Sequence, residues 1–183
     1  MLTVKSKPRK TVEDFMRLPE GTRAELIDGE IFMSPSPRLR HQWISRNIFR
    51  PMADHVERNG LGYVIYAPMD VHLPSSDIVQ PDVIFVAAAN RGILQDWIRG
   101  VPDLAIEILY AEGIDRDRIV KKDLYASNGV REYWIIDDDN RSAEIFVLQG
   151  RAYQREGYFR KDESVTSTVL PGLSLAVREI FAA

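Results

Sequence analysis

The sequence of 183 residues contains no cysteine. This excludes disulfides, zinc–thiolate sites, iron–sulfur clusters and cysteine nucleophiles. Its three histidines, His41, His55 and His72, form no metal-binding pair at helical spacing, so any metal site must use mainly oxygen ligands. No apolar run approaches the roughly 18 residues that a membrane helix needs, and the first residues lack the apolar stretch of a secretion signal. The sequence therefore predicts a cytoplasmic protein without a membrane partner.

An overall excess of basic charge is also missing. The formal net charge is -3, which argues against a protein whose whole surface binds nucleic acid. The 45% of apolar residues is enough for one hydrophobic core. We expect a flexible basic tail at residues 1–10 followed by a single domain at residues 11–183.

One internal stretch is locally basic. Residues 31–51 contain no acid but four arginines: Arg38, Arg40, Arg46 and Arg50. Such a stretch is typical of a surface that binds the phosphate backbone of nucleic acid. The alternative is a solvated helix face with no partner.

Local patterns predict the N-terminal elements. Thr11 is placed to cap a first helix, and Asp28-Gly29 is a pair that closes tight β-hairpins. A second helix is predicted from Leu39 to Arg58, with Gly60 as its C-terminal stop. We expect Pro51 to kink or split that helix.

The rest of the chain is predicted to alternate between strands and a helix. Residues 62–73 and 78–87 are expected to form a second hairpin, residues 103–109 and 132–137 two buried strands, and residues 143–148 and 152–159 antiparallel strands. A helix from the cap Asp115 to Gly129 would join the two buried strands as parallel neighbours through a right-handed crossover. The predicted fold is mixed α/β, with helices flanking a mixed sheet that carries additional antiparallel strands.

Two acids interrupt segments that are otherwise apolar. Glu107 lies within a buried strand, where an unpaired carboxylate would cost several kcal/mol. Asp82 follows Pro81, which cannot donate to a strand ladder and so predicts an edge or a bulge. Strand alternation would put Gln80, Asp82 and Ile84 on one face.

If the strands that carry these acids are neighbours, Asp82 and Glu107 converge. Two close carboxylates repel each other unless a cation lies between them. With no thiol and little histidine in the chain, an all-oxygen site suits Mg²⁺ or Mn²⁺. The alternative is one buried salt bridge and one turn acid at a strand end.

Lys121 is the third candidate, on the helix that follows Glu107. Val120 and Leu124 are predicted to form the core-facing stripe of that helix, with Lys121 and Tyr125 on the adjacent stripe. Lys121 would then lean over the sheet, neutralise Glu107 and stabilise charge that develops on a phosphate. The alternative is a lysine whose ammonium extends to solvent.

The short motifs resemble, in their order and spacing, a known family over roughly residues 11–181. The residues that carry the resemblance are Glu25-Leu26-Ile27-Asp28-Gly29-Glu30, Ser34-Pro35, His41, Gln80-Pro81-Asp82-Val83, Ile106-Glu107-Ile108-Leu109, Lys121 to Tyr125, Gly129 to Asp137 and Leu170 to Leu175. This pattern is similar to the Uma two family of restriction-endonuclease-like proteins in the PD-(D/E)XK nuclease superfamily.

The resemblance implies a role for each matching residue. Asp82 and Glu107 would be the metal-binding acids, together with the carbonyl of Ile108. Leu109 stands where the superfamily usually has its lysine, and Lys121 would take over that role. Glu25 would be an additional catalytic acid, and Gln80 and Tyr125 are implied as supporting polar groups.

One segment departs from the family. Tyr110-Ala111-Glu112 stands where the family commonly has Ser-Pro-Ser, and Glu112 and Asp115 bring negative charge near the expected approach of DNA. The reading that follows from the residues and the resemblance is a Mg²⁺- or Mn²⁺-dependent DNA endonuclease. The rival is an inactive nucleic-acid-binding or protein-interaction module that keeps the fold. A glycosidase fits poorly because the lysine has no role in that chemistry. A homodimer is a further expectation, since it would supply two active sites for the two strands of a duplex.

Overall fold

The computed structural model describes residues 8–109 and 116–183. Helix α1 (Val12–Met16) begins at Thr11, as predicted, because the Thr11 hydroxyl accepts from the Asp14 N–H while the Asp14 carboxylate accepts from the Thr11 N–H. Helix α2 (Leu39–Asn59) ends at Gly60 in the left-handed conformation, also as predicted. The prediction that Pro51 splits α2 was wrong, since the helix runs on through it. Residues 1–7 of the predicted tail lie outside the described residues.

The strands form three sheets in the described part of the chain. They are β1 (Ala24–Ile27), β2 (Glu30–Met33), β3 (Gly62–Tyr66), β4 (Val71–His72), β5 (Ile78–Val79), β6 (Val83–Ala87), β7 (Ile98–Arg99), β8 (Leu104–Ile108), β9 (Glu132–Asp137), β10 (Ser142–Gln149), β11 (Ala152–Arg160), β12 (Ser164–Thr166) and β13 (Ser174–Ala176). The main sheet has the order β11-β10-β9-β8-β6-β3, and a smaller sheet has the order β2-β1-β5-β4-β7. Strands β12 and β13 pair separately. In the main sheet β8 and β9 are parallel, while the other pairs are antiparallel. The predicted mixed α/β fold is therefore confirmed.

The predicted hairpin at residues 62–87 forms, but each of its arms is broken into two strands. The inner strands β4 and β5 pair in the smaller sheet, and the outer strands β3 and β6 pair in the main sheet. Pro81 lies between β5 and β6, where it marks a passage from one sheet to the other rather than the edge or bulge we expected. Its missing N–H explains why the ladder stops there.

The two faces of the main sheet bury different partners. Leu104, Ile106 and Ile108 of β8 pack in the core that contains the apolar face of α2. Ala105 and Leu109 pack in the opposite core, which contains Tyr125 and residues of the smaller sheet. Because side chains alternate along a strand, Glu107 faces this second core.

The crossover between β8 and β9 contains the helix that carries Lys121. A π-helical turn (Arg116–Lys121) leads into α3 (Lys122–Asn128), which ends at Gly129. The predicted core stripe was wrong: Val120 is 44% exposed, whereas Lys121 is 3% exposed. A π turn does not follow the 3.6-residue period on which that prediction rested. The predicted cap Asp115 lies outside the described residues.

None of the helices among residues 8–109 and 116–183 combines the length and apolar character needed to cross a membrane.

Candidate active site

An open cleft of about 180 Å³ lies where β1, the start of β6, the end of β8 and the π-helical turn meet. Four acids and one lysine line it: Glu25, Asp82, Glu107, Asp117 and Lys121. All five are buried residues. The segment of residues 34–37, which leads into α2, forms another part of the wall. Arg23 and Arg116 line it as well, so the four acids share the cleft with three basic side chains.

Asp82 directly precedes β6, and Glu107 lies near the end of the antiparallel neighbour β8. Val83 pairs with Ile106, so Asp82, one residue before Val83, and Glu107, one residue after Ile106, come side by side on one face. The backbone fixes this arrangement, because the Asp82 N–H donates to the carbonyl of Ile106 at 3.0 Å. In return, the N–H of Ile108 donates to Oδ2 of Asp82 at 2.8 Å. The predicted convergence of these acids is present in the fold.

Lys121 contacts three carboxylates. Its Nζ lies 2.7 Å from Oε1 of Glu25, 2.8 Å from Oε1 of Glu107 and 3.5 Å from Oδ1 of Asp117. Asp117 stands four residues before Lys121, the spacing at which side chains meet on one side of a helix. Lys121 therefore joins the main sheet, the smaller sheet and the crossover helix at one point.

The two predicted supporting residues also contact these acids. The hydroxyl of Tyr125 donates to Oε1 of Glu107 at 2.7 Å. The backbone N–H of Gln80 donates to Oε1 of Glu25 at 2.9 Å, and its side-chain amide donates to Asp70 at 2.7 Å. Both residues hold an acid in place rather than contribute a charge.

Burial and charge shift the titration of this cluster. Burial, together with the nearby carboxylates of Asp117, Asp82 and Glu25, raises the pKa of Glu107 well above its usual value, although Lys121 opposes the shift. Burial also raises the pKa of Asp117, again against the effect of Lys121. For Lys121 burial acts to lower the pKa, but the carboxylates of Glu107, Glu25 and Asp117 outweigh it and hold the pKa well above its usual value. Lys121 is thus an ammonium at neutral pH, while burial favours the protonated forms of Glu107 and Asp117.

His41 projects from α2 into the same cleft. Its Nε2 lies 3.2 Å from Oδ1 of Asp82, and its side chain is 13% exposed. Its Nδ1 is buried without a hydrogen-bond partner among the described residues. Sequence reasoning gave His41 no more than a polar contact, because a lone histidine in a helix carries no spacing signal.

The four arginines predicted to bind nucleic acid divide into two groups. Arg38 precedes the first turn of α2, and Arg40 forms an ion pair with Asp138, so both lie near the cleft end of the helix. Arg46 and Arg50 come five and nine residues after His41, about 140° and 180° around the helix from it. They are exposed and lie on the face of α2 opposite the core.

Sequence reasoning missed three charged residues of the cleft. Asp117 was detectable through its four-residue spacing from Lys121. Arg23 and Arg116 also line the cleft, and the Arg116 guanidinium lies 4.4 Å from the centre of the Phe32 ring. No pattern in the sequence pointed to these two arginines, because only the packing of β1, β2 and the crossover brings them together.

The donor chemistry of the cleft fits a hard divalent cation. Asp82 and Glu107 offer adjacent carboxylates, and Ile108, whose carbonyl the resemblance implied as a ligand, also lines the cleft. Among residues 8–109 and 116–183, no group of three or more His, Cys, Asp or Glu side chains forms a metal-binding cluster. Mg²⁺ is often held by only one or two carboxylates plus water and substrate phosphate, so the pair of acids suits it.

The fold and site define an α/β protein in which a six-stranded mixed sheet is flanked by helices and acids share one cleft with a lysine. The chain shares this fold with the crystal structure of "a putative nuclease belonging to DUF820" from Anabaena variabilis: the TM-score is 0.79 at 20% identity, over 93% of this chain and 97% of that one.

The sequence pattern of the Uma two family (Uma2, described as "Putative restriction endonuclease") matches residues 12–178. The chain therefore belongs to this family, as the sequence motifs predicted. No curated protein has a sequence that matches this chain.

Proposed function

We propose that this protein is a divalent-metal-dependent endonuclease that hydrolyses DNA phosphodiester bonds. The observation that carries the proposal is the contact between Lys121 and Glu107 in a cleft that Asp82 also lines. These residues come from a crossover helix, a central strand and the start of a neighbouring strand. A buried ammonium beside adjacent carboxylates suits the charges of a phosphate and a cation.

Asp82, Glu107 and the carbonyl of Ile108 would hold Mg²⁺ or Mn²⁺. When bound, such a cation supplies polarisation of the phosphate and an activated water. Glu107 has its Oε1 engaged by Lys121 and Tyr125, which fixes the orientation of its carboxylate.

Lys121 would act as a charged donor rather than as a base. Because its carboxylate partners hold its pKa above the usual value, it keeps its proton at neutral pH. In the cleft it would orient the attacking water and stabilise negative charge that develops on the phosphate. Glu25 would hold Lys121 in position through the contact of 2.7 Å.

The second candidate is an inactive module that binds nucleic acid or another protein. It is favoured by one observation: Glu25, Glu107 and Asp117 all lie around the Lys121 ammonium, which must release a partner before it contacts substrate. The acidic net charge of -3 also favours this candidate.

Cleavage assays separate the two candidates. Purified protein is mixed with supercoiled plasmid and with single-stranded DNA in Mg²⁺, Mn²⁺ or EDTA, beside the variants Asp82→Asn and Asp123→Asn. Asp123 is an exposed acid of α3 and serves as the matched control. We expect Asp82→Asn to lose several kcal/mol of transition-state stabilisation, at least about 100-fold in rate, and the control to cleave normally. If no cation supports cleavage, the inactive module is the better reading. The same preparations, run by analytical ultracentrifugation, test the proposed homodimer.

A further inference from the structure

We propose that DNA runs from the active-site cleft along a basic track formed by Arg38, Arg40, Arg141, Arg160, Lys161 and Arg178. This inference rests on the proposed function for the identity of the ligand. It goes further by assigning the surface on which the phosphate backbone lies. Most of this surface lies outside the arginine stretch that the sequence pointed to.

The track is continuous with the active-site cleft. That cleft shares His41 and Ile108 with a second cleft, which contains Arg38, Arg40 and Arg141. The second cleft in turn shares Asp139 and Arg141 with a third one. The three clefts are therefore neighbours on the surface, which gives a bound strand a path from the acids to the far end of the track.

The charge of the track has the opposite sign to that of the whole chain. The second and third clefts are lined by six basic residues but only two acids, Asp138 and Asp139. Asp138 forms the ion pair with Arg40. The chain as a whole has a net charge of -3, so this concentration of arginine and lysine is a local feature. A polyanion is the partner that such a patch attracts.

The fold assembles the far end of the track from three separate segments. Ser142 pairs with Arg160 at one end of the β10–β11 hairpin, which puts Arg141 close to Lys161. The backbone N–H of Arg178 donates to the carbonyl of Lys161 at 3.1 Å, which brings α4 (Val177–Ile180) to the same place. The Arg160 guanidinium lies over the Tyr158 ring at 4.8 Å from its centre.

Arg141, Arg160, Lys161 and Arg178 are all exposed. The Arg141 guanidinium donates to the carbonyl of Phe181 at 2.7 Å, and that of Arg160 donates to the Tyr158 hydroxyl at 2.6 Å. Each guanidinium has further N–H donors for a phosphate. Three exposed acids adjoin these residues in the sequence, Asp162, Glu163 and Glu179, and the Glu163 carboxylate accepts the backbone N–H of Arg160 at 2.7 Å. A concave path that leads into a carboxylate cleft fits a DNA backbone better than a flat lipid surface.

The test measures DNA binding without cleavage. A fluorescein-labelled 30-base-pair duplex is titrated in EDTA, across a range of salt concentrations, with the wild-type protein and two double variants. The track variant is Lys161→Ala with Arg178→Ala. The matched control is Arg91→Ala with Arg151→Ala, two exposed residues that line none of the three clefts. Arg151 lies at the opposite end of the β10–β11 hairpin, about 23 Å from the Arg160 end at 3.3 Å per residue.

Each lost phosphate contact lowers the slope of log affinity against log salt by about 0.9. We therefore expect the track variant to lose about two units of slope and the control to match the wild type. The track would be overturned if both variants lost the same amount of slope, if neither lost any, or if the wild-type protein did not bind DNA. Stronger binding to anionic phospholipid vesicles through Lys161 and Arg178 would also overturn it.

A parallel plasmid assay keeps this inference separate from the proposed function. If the track variant loses slope but the wild type cleaves nothing with Mg²⁺ or Mn²⁺, the nuclease proposal fails and the track stands. If the wild type cleaves and the slope is unchanged in the track variant, the track fails alone.

Discussion

The Lys121 ammonium lies 2.8 Å from Oε1 of Glu107, and the two residues are 3% and 4% exposed. A buried charge is tolerated only when it is paired and hydrogen-bonded. Lys121 is therefore both a candidate catalytic group and a structural requirement of the site, and these two roles must be tested separately.

Replacement of Lys121 by methionine is expected to lower the free energy of unfolding by about 3–5 kcal/mol, because it leaves buried carboxylates without their cation. Lys122→Met is the matched control. The Lys122 ammonium lies over the Phe146 ring at 4.8 Å, a contact worth only about 0.5–1 kcal/mol at an exposed site. Urea unfolding at pH 7 measures both changes. Equal losses in the two variants would contradict the buried pairing.

The stability of the protein should depend on pH through Glu107. The pKa of Glu107 is raised in the folded state. The stability that Glu107 contributes is therefore fully present below its unfolded pKa, near 4.5, and is lost as the pH rises through the folded-state pKa. Glu107→Gln removes this dependence. Relative to the variant, the wild type should therefore lose stability as the pH rises from 4.5 towards 8. Urea unfolding across this range gives the comparison, and parallel curves would show that Glu107 titrates normally.

Added Mg²⁺ should raise the melting temperature more at pH 8 than at pH 5.5. The cation competes with a proton for Glu107, and deprotonation favours the cation. At ten times the dissociation constant, binding stabilises the folded state by about 1.4 kcal/mol. Thermal unfolding with and without Mg²⁺ measures the shift, with equal ionic strength of NaCl as the control. A shift that persists in Asp82→Asn would place the ion elsewhere.

Tyr125→Phe should weaken both folding and cleavage. It removes a hydrogen bond to a carboxylate, which is worth about 1.5–3 kcal/mol. The loss of a group that orients a metal ligand typically costs about 10–100-fold in activity or metal affinity. Tyr153→Phe is the control, since the Tyr153 hydroxyl donates to the carbonyl of Val130 at 2.8 Å and lies in the same core. It should lose stability and keep its cleavage rate. If cleavage falls equally in both variants, Tyr125 acts through stability alone.

His41→Ala should lower the affinity for Mg²⁺ by about 10–100-fold, the usual effect of removing a hydrogen-bond partner of a metal ligand. The reason is the contact of 3.2 Å between Nε2 of His41 and Oδ1 of Asp82. Isothermal titration with Mg²⁺ measures the change, and the exposed neighbour Gln42→Ala is the control. Unchanged affinity in His41→Ala would show that Asp82 needs no support from α2.

Much of the fold was accessible from local patterns. The hairpin at Asp28-Gly29, the start of α1 at Thr11 and the end of α2 at Gly60 depend on the conformations of a few adjacent residues. Glu107 was also recognised as exceptional, because a carboxylate inside an apolar strand is visible in the sequence alone. The burial of Lys121 was predicted only in part, because the spacing of apolar residues in the sequence gave no sign of the π-helical turn that precedes α3.

The sequence by itself determined the mixed α/β class, the family motifs and the acids that needed a partner, because each depends on residue type and short spacing. The tertiary structure alone decided that Glu25, Glu107 and Asp117 surround one ammonium, that His41 faces Asp82, and that basic residues from separate segments meet near α4. These contacts join segments that are far apart along the chain. They follow from strand register and sheet packing, which no local pattern encodes.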